Sequence, residues 1–110
     1  MKKLSRDEVL GIVRKLHDQL DLIYGDRLKG LYLYGSYARG DARDESDIDV
    51  AVVLAEPLNR GAEIDRIGNL ISDLCLEENC LVLPFILSER EYEKRTFAIF
   101  RSIVREGIAV

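Results

Sequence analysis

Tryptophan is absent from this chain, histidine occurs once, and cysteine and proline occur twice each. His17 stands alone among Lys15, Asp18 and Gln19 on a helical stretch. With no nucleophile–base pair available to it, hydrolase triads are excluded and a surface position is expected. Cys75 and Cys80 have neither a second pair nor a histidine cluster to complete a zinc site. They read as reduced, partly buried thiols of a cytoplasmic protein. No apolar run approaches the ~20 residues that span a bilayer, so no membrane segment is expected. The start, Met-Lys-Lys-Leu-Ser-Arg-Asp-Glu, turns acidic at once and lacks a signal-peptide core. Positive charge is also scarce: 16 Lys and Arg against 20 Asp and Glu give a net charge of −4, which argues against non-specific nucleic-acid binding.

What remains is an ordinary globular composition, 47% hydrophobic and 33% charged over 110 residues. A chain of that length buries about 65% of its unfolded surface, so a single domain over residues 1–110 needs no disulfide. Ser5 with Glu8 forms a capping box, and Val9, Ile12, Val13, Leu16, Leu20 and Ile23 follow at helical spacing until Gly25. Leu28 to Tyr34 reads as a strand, and Asp47 to Leu54 as a second, ended by Pro57. Asn59 caps a helix with Ile64, Ile67, Ile71, Leu74 and Cys75 on its buried face, closed at Asn79. Leu81 to Leu87 is nearly all apolar and is expected as a strand covered on both faces, with Pro84 marking an edge or bulge. Ser88 with Glu91 opens a last helical stretch carrying Phe97, Ile99, Phe100, Ile103 and Val104, ending near Gly107. That apolar set is wide; core packing is the favoured reading, a partner surface the other. The order helix, strand, strand, helix, strand, helix predicts an α/β (α+β) domain, a small mixed β-sheet with helices mainly on one face.

The chemistry is concentrated between the first two strands. Gly35-Ser36 follows an apolar run, ten residues intervene, and Asp47-Ile48-Asp49 opens the next strand. Residues two apart on a strand share a face, so the two carboxylates project together and repel unless a cation lies between them. Hard oxygen ligands suit Mg²⁺, which retains waters and completes its shell from substrate phosphates. The Gly-Ser turn offers a close-approaching backbone, N–H groups and a hydroxyl, all suited to phosphate oxygens. The competing reading is an acidic surface loop ahead of an ordinary strand, yet strands usually avoid Asp. Arg39 could brace a triphosphate or pair with Asp41 or Asp44; Gly40 serves loop geometry, and Arg43 is expected in solvent.

Gly35-Ser36-x10-Asp47-x-Asp49 resembles the signature of the DNA polymerase beta-like nucleotidyltransferase superfamily, and the short chain resembles its minimal nucleotidyltransferase (MNT) branch. The similarity is densest from Leu31 to Leu54. It implies that Asp47 and Asp49 ligate Mg²⁺ and act in catalysis, and that Gly35 and Ser36 hold the phosphates of ATP or another nucleoside triphosphate. It further implies transfer of a nucleoside monophosphate to a hydroxyl, with a helical HEPN toxin as protein partner and the chain as its antitoxin. The full site of such enzymes uses a third carboxylate from a neighbouring strand. Leu81 to Leu87 holds no acid; Glu77 and Glu78 precede it, and Glu89 and Glu91 follow. A catalytically impaired protein that binds nucleotide or neutralises a toxin by contact is therefore the alternative. The chain has no residues for a separate acceptor domain, so a partner or a homo-oligomer is expected to supply that wall.

Overall fold

The computed structural model describes residues 2–110. Helix α1 spans Arg6–Tyr24, and both halves of the Ser5/Glu8 capping box form. A single 3₁₀ turn, Gly25–Arg27, leads into β1 (Leu28–Tyr34). A short helix α2 (Ser36–Arg39) starts directly after Gly35 and stops at Gly40, which takes the left-handed conformation expected of a turn glycine. Strand β2 is Ile48–Leu54, α3 is Arg60–Glu78 and β3 is Val82–Ser88. The last helical stretch is divided into α4 (Glu89–Lys94) and α5 (Ala98–Glu106), because Arg95 adopts a positive φ and ends the first piece. A two-residue strand β4 (Ile108–Ala109), not anticipated from the sequence, closes the described chain.

The four strands form one mixed sheet in the order β3-β2-β1-β4. β1 and β2 are antiparallel, with Tyr34 opposite Asp49, and β4 pairs antiparallel with the other side of β1. β3 runs parallel to β2, with Asp49 opposite Leu83. The parallel pair requires a crossover, which α3 provides. β3 is an edge strand, where Pro84 leaves no interior ladder bond unmade.

Alternation along the strands separates two cores. Leu31, Leu33, Val50, Val52, Leu54 and Ile86 face α1 and α3 in the larger one. Ala51, Val53 and Leu87 face the opposite way, towards Phe100 and Ile103 of α5. Helices thus cover one face fully and the far end of the other. The expectation that β3 is covered on both faces is corrected at its beginning, where Leu81 and Leu83 are exposed. α4 starts immediately after β3 and lies against its end, and Phe85 meets Phe100 of α5.

Two helix-face assignments also change. Ile23 is exposed because the α1 stripe continues from Leu20 to Tyr24 at a spacing of four. Ile64 is exposed because Glu63 points inward instead, accepting from Tyr24 Oη at 2.9 Å and Arg27 Nη2 at 3.2 Å, with Arg66 Nε at 3.3 Å. A carboxylate so surrounded is not an unpaired buried charge. Burial and this hydrogen bond push the Tyr24 hydroxyl up to about 12. Among the described residues no helix is long and apolar enough to cross a membrane. Both cysteines are free, and the Cys75 Sγ accepts from Val82 N at 3.3 Å. His17 is partly exposed, 3.3 Å from Asp21.

Candidate functional site

β1 ends where β2 begins, and this shared end of the sheet gathers the residues singled out above. Gly35 is buried at φ +76°, a conformation that side chains other than glycine's rarely adopt. A Cβ added there would overlap Oδ2 of Asp49. The glycine is therefore fixed by two independent demands, the turn and the carboxylate against it. Ser36 opens α2, whose last turn is tied down from outside. Arg6 Nη2 donates to the carbonyl of Ala38 at 2.8 Å, and the Tyr37 hydroxyl accepts from Leu4 N at 3.2 Å.

Asp47 lies just before β2 and Asp49 within it, on the face away from α1 and α3. Both are partly exposed. Burial first, then the charge of Asp47, raises the Asp49 carboxyl above its ordinary range; Arg39 opposes the shift and Glu106 adds to it. The pair is a repulsive arrangement with one nearby guanidinium. No cluster of three or more His, Cys, Asp or Glu residues among those described could enclose a metal. An ion held by Asp47 and Asp49 would keep most of its shell for water and phosphate, the habit of Mg²⁺ rather than of an ion in an all-protein cage.

Arg39 is engaged on two sides. Its Nε meets Asp41 Oδ2 at 3.2 Å, and its Nη1 lies 3.2 Å from each carboxylate oxygen of Glu106. Asp41 is thus the nearer of the two sequence candidates; Asp44 instead accepts from Lys3 N at 3.2 Å. Arg43 is exposed, as expected.

A family model for the nucleotidyltransferase domain matches residues 9–110. The chain belongs to that family. Among its relatives, a Methanocaldococcus jannaschii protein provisionally named a protein adenylyltransferase is 29% identical over 96 residues, 86% of this chain and 90% of the relative. The protein adenylyltransferase MntA of Shewanella oneidensis is 32% identical over 67% of this chain and 48% of its own length, so this nucleotidyltransferase domain spans about half of MntA. The fold is similar to that of a provisionally named nucleotidyltransferase from Sulfolobus solfataricus, with a TM-score of 0.69 and 21% identity over 94% of this chain and 80% of that one. It is also similar to a chain of a toxin–antitoxin structure with AMP-PNP, with a TM-score of 0.56 and 23% identity over 96% and 72%. The nucleotidyltransferase family match therefore runs over residues 9–110 and the match to MntA over two thirds of the chain, beyond the motif itself.

Three further residues at this end of the nucleotidyltransferase domain's sheet carry no signal in the motif. Tyr34 lies opposite Asp49, and its hydroxyl is pushed up to about 12 by burial, then by Asp49 and Glu106. Leu83 stands beside Asp49 in the parallel register, on the same face of the sheet and exposed. Glu106 arrives from the end of α5, 71 residues beyond Gly35, and its Oε1 accepts from Gly35 N at 3.2 Å. Strand alternation marks Tyr34 and Leu83 once the register is known. Nothing local could have placed Glu106.

Proposed function

We propose that the chain is an ATP- and Mg²⁺-dependent nucleotidyltransferase that moves AMP onto a hydroxyl of a protein partner, as the MNT half of a HEPN/MNT-type pair. The observation that carries this reading is the contact of Gly35 with Asp49. It sets a backbone N–H and the Asp49 carboxylate together at one end of the sheet, with Asp47 on the same face and Ser36 next in the chain. The family membership, the protein adenylyltransferase names of the relatives and the AMP-PNP-containing structural neighbour support it.

In this reading Asp47 and Asp49 hold Mg²⁺, which neutralises phosphate charge and orients the reacting oxygens when bound. Gly35 N–H, the Ser36 hydroxyl and the Arg39 guanidinium contact the outer phosphates. The acceptor hydroxyl gives up its proton to solvent as its oxygen bonds to the α-phosphorus, the bond from that phosphorus to the β-bridging oxygen breaks, and pyrophosphate leaves. The chain's contribution is alignment and charge stabilisation.

A second reading keeps its own observation. Leu83 occupies the strand position next to Asp49 where a third carboxylate would lie, which favours a protein that binds nucleotide but turns over slowly or not at all. Calorimetry with ATP, with and without EDTA, tests the common ground. Binding should depend on Mg²⁺, and Asp47→Asn and Asp49→Asn should each remove that dependence. Wild-type binding of Mg·ATP by both variants would place the nucleotide elsewhere.

A further inference from the structure

Glu106 belongs to no part of the sequence motif, yet it holds the donors that the motif provides. Its Oε1 accepts from Gly35 N, and both of its oxygens lie 3.2 Å from Arg39 Nη1. Only 12% of its side chain is exposed. Its position is fixed from two directions: α5 ends at Glu106, and β4 starts two residues later with Ile108 opposite Leu33. A carboxylate accepting from a backbone N–H and a guanidinium uses the same chemistry as a phosphate oxygen on those groups. It does so near Asp49, a like charge that repels it.

We propose that Glu106 is an internal anion seated on the phosphate donors Gly35 N–H and Arg39, which a nucleoside triphosphate must displace in order to bind. The idea rests on the nucleotidyltransferase reading and adds a residue that weakens substrate binding. Free ligand competes with a tethered carboxylate, so apparent affinity falls by the fraction of molecules in which the seat is taken. Displacement means a swing of the Glu106 side chain away from the turn. It also frees the Arg39 Nη1 to follow the incoming phosphate.

The test titrates the full chain with two probes: Mg²⁺ with a non-hydrolysable ATP analogue, and inorganic pyrophosphate alone. Glu106→Gln keeps the shape and removes the charge; Glu106→Ala empties the seat. Both variants should bind both probes tighter by about 5-fold or more. In the unaltered chain the Glu106 side-chain carboxyl carbon should shift in the nuclear magnetic resonance spectrum as pyrophosphate saturates. Unchanged or weaker binding by Glu106→Gln overturns the proposal. So does weaker Mg²⁺-dependent binding with pyrophosphate unaffected, which would make Glu106 a metal ligand. The absence of any carboxyl shift, or of binding in every form, also overturns it. The broader reading fails separately: Asp47→Asn and Asp49→Asn without effect on the ATP analogue would sink it, while a gain for pyrophosphate in Glu106→Gln would stand.

Discussion

Asp49 is half-buried against Gly35 with Asp47 beside it, and its carboxyl is raised by burial first and then by that neighbour. The raised folded value has a definite sign for stability. Below the ordinary carboxylate range the group is protonated both folded and unfolded, and nothing is lost. As pH rises through the folded value, the unfolded chain ionises more readily and stability falls. Asp49→Asn should therefore raise the melting temperature at pH 7, with the gain vanishing in acid where the carboxyl is protonated in both states, while Mg·ATP binding is lost. Thermal melts at pH 7 and in acid check this, and a lower melting temperature at pH 7 would contradict it. The Gly-Ser turn divides in the same manner. Ser36→Ala removes a hydroxyl for about 1 kcal/mol of nucleotide affinity. Gly35→Val must both leave a positive φ and displace the Asp49 carboxylate, so it should abolish binding and lower stability. Equal tolerance in titration and melting would reduce the turn to a structural feature. At this scale the sequence was informative because the motif is local: Gly35, Ser36, Asp47 and Asp49 lie within fifteen positions, and one strand hairpin brings them together. Arg39 was only half legible, since one of its two partners, Glu106, comes from the far end of the chain.

Strands and helices were placed by periodicity and caps, and the two capping boxes at Ser5 and Ser88 formed as read. Less legible was anything that depends on where one element crosses another. The uncovered start of β3 follows from α4 and α5 lying over its other end, which no pattern within Leu81 to Leu87 reveals. The inward turn of Glu63 depends on Tyr24 and Arg27 from another element. β4, two residues long, is below the length at which alternation has meaning. The register now sharpens one experiment. Leu83 lies beside Asp49 on its face, whereas Val82 lies opposite Ile48 and is buried in the core beneath α3. Leu83→Asp should tighten Mg²⁺ binding and raise any AMP transfer, with the fold retained because the side chain is already exposed. Val82→Asp should unfold the protein, an unpaired charge in a core being among the costliest changes. Circular dichroism and a labelled-ATP transfer assay on the two variants separate these outcomes. An unfolded Leu83→Asp with an intact Val82→Asp would reverse the strand's facing.

For the molecule as a whole, the exposed Phe97 and Ile99 adjoin Phe100, which is buried in the smaller core. The wide apolar set of the last helices thus divides, part core and part surface. Incubation with labelled ATP, Mg²⁺ and a candidate helical partner, followed by intact mass, should show little AMP transfer by the chain alone and more once the partner aligns the acceptor. Misalignment of reacting groups alone costs ~100-fold in rate. Fast transfer to a small hydroxyl compound without any partner would contradict this.

Residues 3–6 clasp the site's polar loop at both ends. Lys3 N donates to Asp44, Leu4 N donates to Tyr37, and Arg6 reaches the Ala38 carbonyl. The start of α1 and the Gly35-Ser36 turn are therefore expected to open to solvent as one unit rather than two. In deuterated buffer the amides of Lys3 and Leu4, which touch neither Gly35 nor the Asp pair, should exchange more slowly when Mg·ATP is added. Their slowing should match that of the amides of Tyr37 and Ala38. Protection confined to the turn would mean that the clasp is too loose to couple them. Matched protection would make the first residues of the chain a reporter of ligand binding on the far side of α2.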